Sequence, residues 1–206
     1  MNIVVSASES MKEELLSGGL KQDVLIEWVS SSELFNNYTE ADAYIDILFD
    51  GNVETLMNLL PKPVFVNSVS KTLEELPERV IRFNGWPGFL RRNVLEASIA
   101  NKDEKKDAED IIACFNKKII WAPNTAGFIS ARVIACIINE AYLTLDEGVS
   151  TKADIDTAMK LGTNYPYGPF EWSTNIGIAN IVGLLKAFNK KNKGYLIADS
   201  LLKETI

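Results

Sequence analysis

The sequence has no histidine among its 206 residues. This absence excludes a Ser-His-Asp or Cys-His catalytic arrangement, an imidazole metal site and a histidine general base. Any acid–base role therefore falls to aspartate, glutamate, lysine, tyrosine or cysteine. Only two cysteines are present, Cys114 and Cys136, and both lie in apolar, helix-like surroundings. We interpret them as reduced core thiols rather than as a disulfide, and no metal site is expected.

Long apolar runs and an excess of positive charge are also missing. No run approaches the roughly 18 apolar residues that a membrane helix needs, and no N-terminal charged and apolar segment precedes a cleavage site. The net charge is −7 and no basic stripe is visible, which argues against a nucleic-acid partner. The sequence therefore predicts a soluble, cytoplasmic protein that binds neither membranes nor nucleic acid.

The first half of the chain alternates short apolar runs with polar helical segments. The runs are rich in Val, Ile and Phe, and several are almost continuously apolar, which is typical of strands buried on both faces of a parallel sheet. Strands that alternate with helices indicate βαβ units and a Rossmann-like layered sheet. The predicted strands are 2–7, 23–29, 43–49, 63–68, 79–85 and 118–122. The predicted helices are 10–16, 52–60, 71–76 and 103–117.

The second half is helical by its pattern. The segment "PNTAG" at 123–127 breaks the chain, and a long helix with a wide apolar stripe follows from Phe128 to about Glu147. Such a stripe predicts a helical core or a subunit interface. We place the domain boundary near Pro123, with a shortened Rossmann-like domain over 1–122 and an all-α domain over 123–206. Further helices are predicted at 154–161, 177–189 and 194–205.

Residues 154–172 read "DIDTAMKLGTNYPYGPFEW". This resembles the signature of the helical C-terminal domain of the 3-hydroxyacyl-CoA dehydrogenases, in which an I-D-x-A-M-x-x-G helix runs into P-x-G-P-F-E. The upstream "NTAGFISARVIACIINEAYLTLDEG" resembles that family's P-G-F-I-x-N-R segment and the helix after it. "ADAYIDILFDGNVETLMNLL" and "VFVNSVS" resemble parts of its nucleotide-binding domain. The resemblance implies an NAD-binding domain followed by a helical domain for dimerisation and substrate contacts.

The resemblance also implies where the catalytic pair would lie. In the family, an H-F-F-N-P loop is followed by a glutamate twelve residues after the histidine. The histidine takes the proton of the substrate's 3-hydroxyl as hydride leaves for NAD, and the glutamate orients it. Aligned on Glu96, the histidine position is Asn84, and the loop reads N-G-W-P-G at 84–88. The asparagine of P-G-F-I-x-N-R, which assists at the substrate oxygen, becomes Ala131.

The glycine-rich loop of a dinucleotide fold is missing too. After the first strand the chain reads "SASESM" at 6–11, in place of G-x-G-x-x-G. Side chains there crowd the approach of a pyrophosphate to backbone N–H groups, and Glu9 adds a negative charge. Glu27, at the predicted end of the second strand, is placed to bind a ribose, or it is a solvent-facing charge. No cofactor is therefore firmly implied, and NAD is an implication of the resemblance alone.

Several other candidate residues have both a functional and a structural interpretation. Asn84 is a contact for a thioester or hydroxyl oxygen, or a turn residue, and Glu96 is a remnant site carboxylate or a surface charge. Ser68 and Ser70 follow a strand where open α/β sheets bind ligands, or they cap the strand end. Trp86 lines an acyl channel or belongs to the core.

The C-terminal signature is interpreted as structural. Asp154, Asp156 and Lys160 fit the solvated face of a capped helix and need no further role. The segment "YPYGPF" at 165–170 fits a tight turn that packs helices.

Three functions follow from the sequence. The leading hypothesis is a divergent 3-hydroxyacyl-CoA dehydrogenase-like protein without hydride transfer, which binds an acyl-CoA-like or other small acidic ligand as a dimer. The second is an active NAD-dependent oxidoreductase of 3-hydroxyacyl-CoA type in fatty-acid metabolism, with Glu96 or a lysine as base. The third is a ligand-free oligomeric scaffold. All three predict a homodimer through the C-terminal helices.

Overall fold

The computed structural model describes residues 1–191 and 194–205. The chain divides into two compact units, the sheet unit (Met1–Phe128) and the helical unit (Ile129–Ile206). The predicted fold class, a shortened Rossmann-like sheet domain followed by an all-α domain, is confirmed. Within the described residues, no helix is long and apolar enough to cross a bilayer.

The sheet unit is built on a seven-stranded sheet with the order β2-β1-β3-β4-β5-β6-β7. Neighbours among β1 to β5 pair in parallel, β6 pairs antiparallel with β5, and β7 is parallel to β6. The strands are β1 (Asn2–Ser6), β2 (Leu25–Val29), β3 (Ala43–Asp46), β4 (Val64–Asn67), β5 (Val80–Phe83), β6 (Val94–Ser98) and β7 (Lys118–Trp121). The helices of this unit are α1 (Glu9–Leu15), α2 (Val53–Met57) and α3 (Lys105–Ala113).

Both faces of the central strands are buried, which is why their sequences are almost continuously apolar. Successive side chains of a strand point to opposite faces. Val5 and Phe65 belong to the core cluster that includes residues of α1 and α3. Val4 and Tyr44 belong to a second cluster that includes Leu56 of α2.

The sheet differs from the prediction at β6, which the sequence did not reveal as a strand. Its five residues carry Glu96 between Leu95 and Ala97, so no apolar alternation distinguishes them from a loop. Because β6 is antiparallel to β5, it brings Glu96 directly beside the end of β5. The predicted helix at 71–76 is a short 3-10 turn at Leu73–Glu75.

The strand order reverses between β1 and β3. From β1 the chain moves outward to β2, passes through a 3-10 segment at Ser32–Asn37, and returns to β3 on the other side of β1. In open α/β sheets, ligands bind in the crevice outside the carboxyl ends of the strands at such a switch point. The sheet unit therefore has the crevice in which a dinucleotide would be expected.

The sheet unit extends a few residues past the predicted boundary at Pro123. Arg82, on β5, is fully buried and donates to Asn124 Oδ1 at 3.0 Å and to the Thr125 carbonyl at 3.1 Å. Its guanidinium also lies 4.1 Å from the ring centroid of Phe128. These contacts hold residues 124–128 against the sheet, so the connecting segment belongs to this unit.

In the described part of the helical unit there are five helices, α4 (Ser130–Asp146), α5 (Lys152–Thr163), α6 (Pro169–Ile176), α7 (Ile178–Lys191) and α8 (Asp199–Lys203). α6 was not predicted, because "YPYGPF" suggested only a turn. That turn leads directly into α6, which starts with Pro169 after the N-cap residue Gly168. On α4, Ala135, Ile138 and Tyr142 are buried, whereas Ile129, just before the helix, and Val133 are half exposed.

The interpretation of Asp156 as a solvated helix residue was wrong. Its carboxylate is buried and accepts the N–H groups of Phe170 at 2.8 Å and of Glu171 at 3.3 Å, in the first turn of α6. Glu171 in turn accepts the Gly168 N–H at 2.9 Å and contacts Lys160 Nζ at 2.5 Å. The signature residues therefore join α5 to α6, since a carboxylate satisfies N–H groups that a helix start leaves open.

Candidate functional site

Asn84 and Glu96 face each other across the end of β5 and the middle of β6. The Asn84 N–H donates to the Glu96 carbonyl at 2.9 Å, which continues the ladder by one residue. On the side chains, Asn84 Nδ2 donates to Glu96 Oε2 at 3.4 Å. Asn84 is 1% exposed and Glu96 is 4% exposed. The two residues that the family resemblance pairs are thus in contact, and they are buried rather than lining an open cleft.

The turn after Asn84 is held by Asn67, a residue that the sequence reading did not single out. Asn67 Oδ1 accepts the Gly85 N–H at 2.9 Å, and Asn67 Nδ2 donates to the Ile47 carbonyl at 3.1 Å. A Cβ at Gly85 would lie 2.8 Å from Asn67 Cγ and 2.7 Å from Phe83 Cε2. The position where the family motif has a phenylalanine therefore has no room for a side chain in this chain.

Further contacts around the pair come from the loop between β5 and β6. Arg92 lies with its guanidinium 3.9 Å from Glu96 Oε1 and 4.7 Å from the ring centroid of Phe89. Burial lowers the pKa of Arg92, and the Glu96 carboxylate acts against that shift. Trp86 is buried and packs edge-on against Phe89, with ring centroids 6.4 Å apart. Trp86 thus occupies packed surroundings rather than the wall of an open channel.

Ser68 and Ser70 follow β4, as predicted. The Ser68 hydroxyl donates to the Lys71 carbonyl at 3.4 Å, and its N–H donates to the Phe83 carbonyl at 3.2 Å. Arg82 Nε donates to the Ser68 carbonyl at 3.0 Å. The Ser68 side chain is therefore turned into its own loop. Ser70, two residues on, is half-buried.

Arg82 was also missed by the sequence reading. Its guanidinium is bonded to carbonyl and amide oxygens, among them the Val69 carbonyl at 3.1 Å. Burial lowers its pKa to about 10, and the acids Glu74 and Glu75 act against that shift. An arginine in an otherwise apolar strand is the signal that could have identified it, because such a residue is rarely fully buried unless its donors are matched.

Two further predicted positions are Glu27 and Ala131. Glu27 was expected at the end of the second strand, but the structure places it in the middle of β2, opposite Val4, with an exposed side chain. β2 continues to Val29, because its apolar run extends past the glutamate. Ala131 belongs to the helical unit, in the first turn of α4, where it is fully buried.

The β1–β3 switch point holds a second buried polar group. Ser6 ends β1 opposite Asp46, which ends β3. The Ser6 hydroxyl donates to Asp46 Oδ1, and the Ser32 hydroxyl donates to Asp46 Oδ2 at 2.5 Å. Burial raises the pKa of Asp46, and the two hydroxyl groups act against that shift. We refer to Ser6, Asp46 and Ser32 as the Asp46 cluster.

A polar cavity of about 180 Å³ lies beside the Asp46 cluster. It is lined by Ser30, Ser31, Ser32, Glu33, Asp50 and Asn52, among others. Hydroxyl and carboxylate groups suit the hydroxyls of a sugar, whereas two acids disfavour a phosphate. Among the residues that the structure describes, no lysine or arginine lines the cavity.

The nicotinamide cofactor implied by the fold does not fit the residues at this crevice. A pyrophosphate needs free backbone N–H groups at the start of the first helix and glycines around them. Here Ser8 caps α1 by accepting the Met11 N–H at 3.4 Å, and Ser6 is bonded to Asp46. Nor does the described part of the chain hold a cluster of three or more acidic or cysteine ligands for a metal ion.

Comparison with known proteins agrees with this architecture. Residues 127–206 match the family model of the 3-hydroxyacyl-CoA dehydrogenase C-terminal domain. The chain is 44% identical over 70 residues to the 3-hydroxyadipyl-CoA dehydrogenase of Escherichia coli K12, which covers 34% of this chain and 15% of that protein. It is 32% identical over 96 residues to the human mitochondrial hydroxyacyl-coenzyme A dehydrogenase, covering 47% and 31%. The matches therefore span less than a third of these relatives.

The solved structure of (S)-3-hydroxybutyryl-CoA dehydrogenase PaaH1 from Ralstonia eutropha superposes with a TM-score of 0.72. The superposition covers 98% of this chain and 92% of that one at 16% identity, so it establishes the fold alone. Together with the helical-domain match, it confirms the resemblance stated from the sequence. Residues 127–206 are therefore similar to the C-terminal domain of the 3-hydroxyacyl-CoA dehydrogenases, and the whole chain shares the fold of that solved structure.

Proposed function

We propose that this chain does not transfer hydride through the histidine–glutamate pair of its family. The observation that carries the proposal is the contact between Asn84 and Glu96. The resemblance puts the family's proton acceptor at position 84, and the side chain there is an amide that donates to the carboxylate it faces. An amide has no usable protonation equilibrium near neutral pH, so it cannot accept the proton of a substrate hydroxyl.

Glu96 is poorly placed to serve as the base in the alternative hypothesis of an active oxidoreductase. A general base must come within hydrogen-bond distance of the proton that it removes. Glu96 is buried, and its Oε2 accepts from the Asn84 amide while Arg92 lies 3.9 Å from its Oε1. Both carboxylate oxygens therefore already face a protein group.

For the retained role, we propose a dimeric protein that binds an acyl-CoA-like or other small acidic ligand. The match of residues 127–206 to the family's helical domain supports this, since the relatives are named as dehydrogenases of CoA thioesters. Ile129 and Val133, one turn apart at the start of α4, are each 50% exposed and offer apolar surface for a second copy. The ligand-free scaffold is the outcome if no such ligand binds.

The activity test uses the full chain with (S)-3-hydroxybutyryl-CoA and NAD, and with acetoacetyl-CoA and NADH in the reverse direction. We expect no turnover above that of buffer. A matched sample carries Glu96→Gln, which keeps the shape of the side chain and removes its basicity. Turnover that the native chain shows and the variant lacks would contradict the proposal and establish the active oxidoreductase. Equal turnover in both samples that persists after repurification would establish an active oxidoreductase whose base is a residue other than Glu96, such as a lysine.

Ligand binding is measured separately, by calorimetric titration with acetoacetyl-CoA in the absence of any nicotinamide cofactor. We expect saturable binding. If neither acetoacetyl-CoA nor CoA binds at millimolar concentration, the ligand proposal is wrong and the scaffold hypothesis remains.

The dimer is tested by light scattering on the purified chain. We expect twice the chain mass of 22.9 kDa, and Val133→Asp should shift the protein toward the monomer because it puts a charge into the apolar contact. Met57→Asp is the matched control, since Met57 is 60% exposed on α2 of the sheet unit. A native monomer, or equal effects of the two substitutions, would contradict dimerisation through α4.

A further inference from the structure

The Asp46 cluster joins the elements that surround the switch-point crevice. Ser6 ends β1, Asp46 ends β3, and Ser32 begins the 3-10 segment that follows β2. All three residues are at most 9% exposed. The Leu48 N–H donates to Ser6 Oγ at 3.3 Å, so the first residues beyond β3 are attached as well. One buried carboxylate thus connects three segments at the place where a bound ligand would contact each of them.

We infer that the Asp46 cluster closes this crevice to a nicotinamide dinucleotide and cross-links strand ends that would otherwise meet at the bound cofactor. This inference concerns cofactor binding, and it goes beyond the proposed loss of proton transfer, which rests on Asn84. A chain with a closed crevice would lack dehydrogenase activity even with a histidine at position 84.

The geometry of the loop after β1 supports the closure. Ser6, the last residue of β1, and Ala7, the first residue of the loop, are 0% and 5% exposed, so their side chains occupy space that glycines leave open. The Ser8 side chain accepts a hydrogen bond from the Met11 N–H, and Glu9 adds a carboxylate in the first turn of α1. A helix N-terminus attracts phosphate through its unsatisfied N–H groups and its positive dipole end. Both sources of attraction are reduced here.

The net charge of the sheet unit also disfavours the binding of a pyrophosphate. Residues 129–206 carry equal numbers of basic and acidic side chains, so the whole net charge of −7 belongs to the sheet unit. Asp46 lies at the crevice, and Glu33 and Asp50 line the adjacent cavity. Unlike charges attract and like charges repel more strongly where water is excluded. A pyrophosphate entering beside these acids would therefore be repelled rather than held.

The test is hydrogen–deuterium exchange of the full chain with and without NADH, together with a calorimetric titration by NADH and NADPH. We expect no saturable binding with a Kd below about 1 mM, and unchanged exchange over residues 6–10 and 46–48. Saturable binding that protects these segments would overturn the inference. NADH binding without turnover would leave the proposed function intact, whereas turnover in the activity assay would contradict the proposed function.

Variants test the cross-linking role by a readout other than activity. Asp46→Ala should speed exchange at Leu48 by about tenfold or more, because a buried charge-assisted hydrogen bond is lost. Ser32→Ala removes one donor, keeps the carboxylate, and should give a smaller increase in a chain that still folds. Glu54→Ala, in the exposed first turn of α2, is the control and should change nothing at Leu48. Equal exchange in Ser32→Ala and the native chain would overturn the cross-linking role.

Discussion

Gly168→Ala is expected to be among the most damaging single-methyl additions in the helical unit. A Cβ at Gly168 would lie 2.3 Å from Asp156 Oδ1, 2.4 Å from its Cγ and 2.5 Å from its Cβ. Rotation of the Asp156 side chain can move the first two atoms but not the Cβ, so α5 and α6 must separate. The φ of Gly168 is −74°, which alanine adopts without strain. The cost is therefore steric and not conformational.

The magnitude follows from what the separation breaks. Overpacking a filled site costs about 1–3 kcal/mol. Displacing Asp156 also removes its hydrogen bonds to the Phe170 and Glu171 N–H groups, and a charged hydrogen bond contributes about 1.5–3 kcal/mol. We expect Gly168→Ala to lower the free energy of unfolding by about 3 kcal/mol, which is a large share of the roughly 5–15 kcal/mol of a typical domain.

Variants with a progressively smaller side chain at position 156 distinguish this steric explanation from a general intolerance of substitution at Gly168. In Asp156→Ala the oxygens and Cγ are gone but the Cβ contact at 2.5 Å remains, so Gly168→Ala should still cost part of its native-background value. In Asp156→Gly all three contacts are gone and the same substitution should cost almost nothing. Urea unfolding followed by circular dichroism measures each step of the cycle. Gly183→Ala on α7 is the control. Outside the chain neighbours and the nearby helix backbone, no atom of the described residues lies within 4 Å of its Cβ position, so the substitution should be neutral or stabilising by up to about 1 kcal/mol. An equal cost of Gly168→Ala in all three backgrounds would refute the reasoning.

Three further predictions concern buried or paired charges. Arg82→Met should destabilise the sheet unit by about 3 kcal/mol in urea unfolding, because several buried oxygens lose their donor; a change under about 0.5 kcal/mol would contradict this. Burial raises the pKa of Asp46 above its ordinary value of 3.8. The contribution of Asp46 to stability should therefore fall as pH rises from 3.8 through the higher pKa of the folded state. Urea midpoints of Asp46→Asn should lack this fall, and a rise of the native midpoint over the same range would be inconsistent with burial. Burial acts to raise the pKa of Glu204, but hydrogen bonds from Lys152 and Tyr142 outweigh it and hold that pKa below its ordinary value of 4.5. The contribution of Glu204 to stability is therefore present above pH 4.5 and is lost as pH falls through the lower pKa of the folded state. Glu204→Gln should remove this loss of stability at acid pH from thermal unfolding curves.

Most of the sheet could be predicted because its strands are buried on both faces. Continuous apolar runs such as "NIVVSA" leave few alternatives, and the predicted strand positions agree with β1 to β5 and β7. β6 could not be predicted, because Glu96 interrupts a five-residue run. The resemblance placed Asn84 and Glu96 twelve residues apart, but only the antiparallel pairing of β5 with β6 puts them directly opposite each other.

The partners of the buried charges could not be predicted from local pattern. Asp46 at a strand end resembles a solvent-facing residue when only neighbours in sequence are considered, and the apolar surroundings of Arg82 signal an unusual residue without indicating what it contacts. The partners that allow their burial are distant in sequence: Ser6 is 40 residues from Asp46, and Asn124 is 42 residues from Arg82. Pairings of this kind depend on the topology of the sheet, which composition and periodicity do not specify.

The most recognisable part of the chain carries no information about catalysis. Its conspicuous residues, Asp156, Gly168 and Glu171, hold the start of α6 against α5 through a buried carboxylate and a glycine that no larger side chain can replace. Because these contacts stabilise the helical unit by themselves, they can persist whether or not the sheet unit transfers hydride. The proposed loss of hydride transfer rests instead on Asn84 and on the Asp46 cluster, at positions where the sequence departs from the motifs that it resembles. A match over the helical unit therefore shows what that unit is similar to, while the activity has to be judged from the carboxyl edge of the sheet.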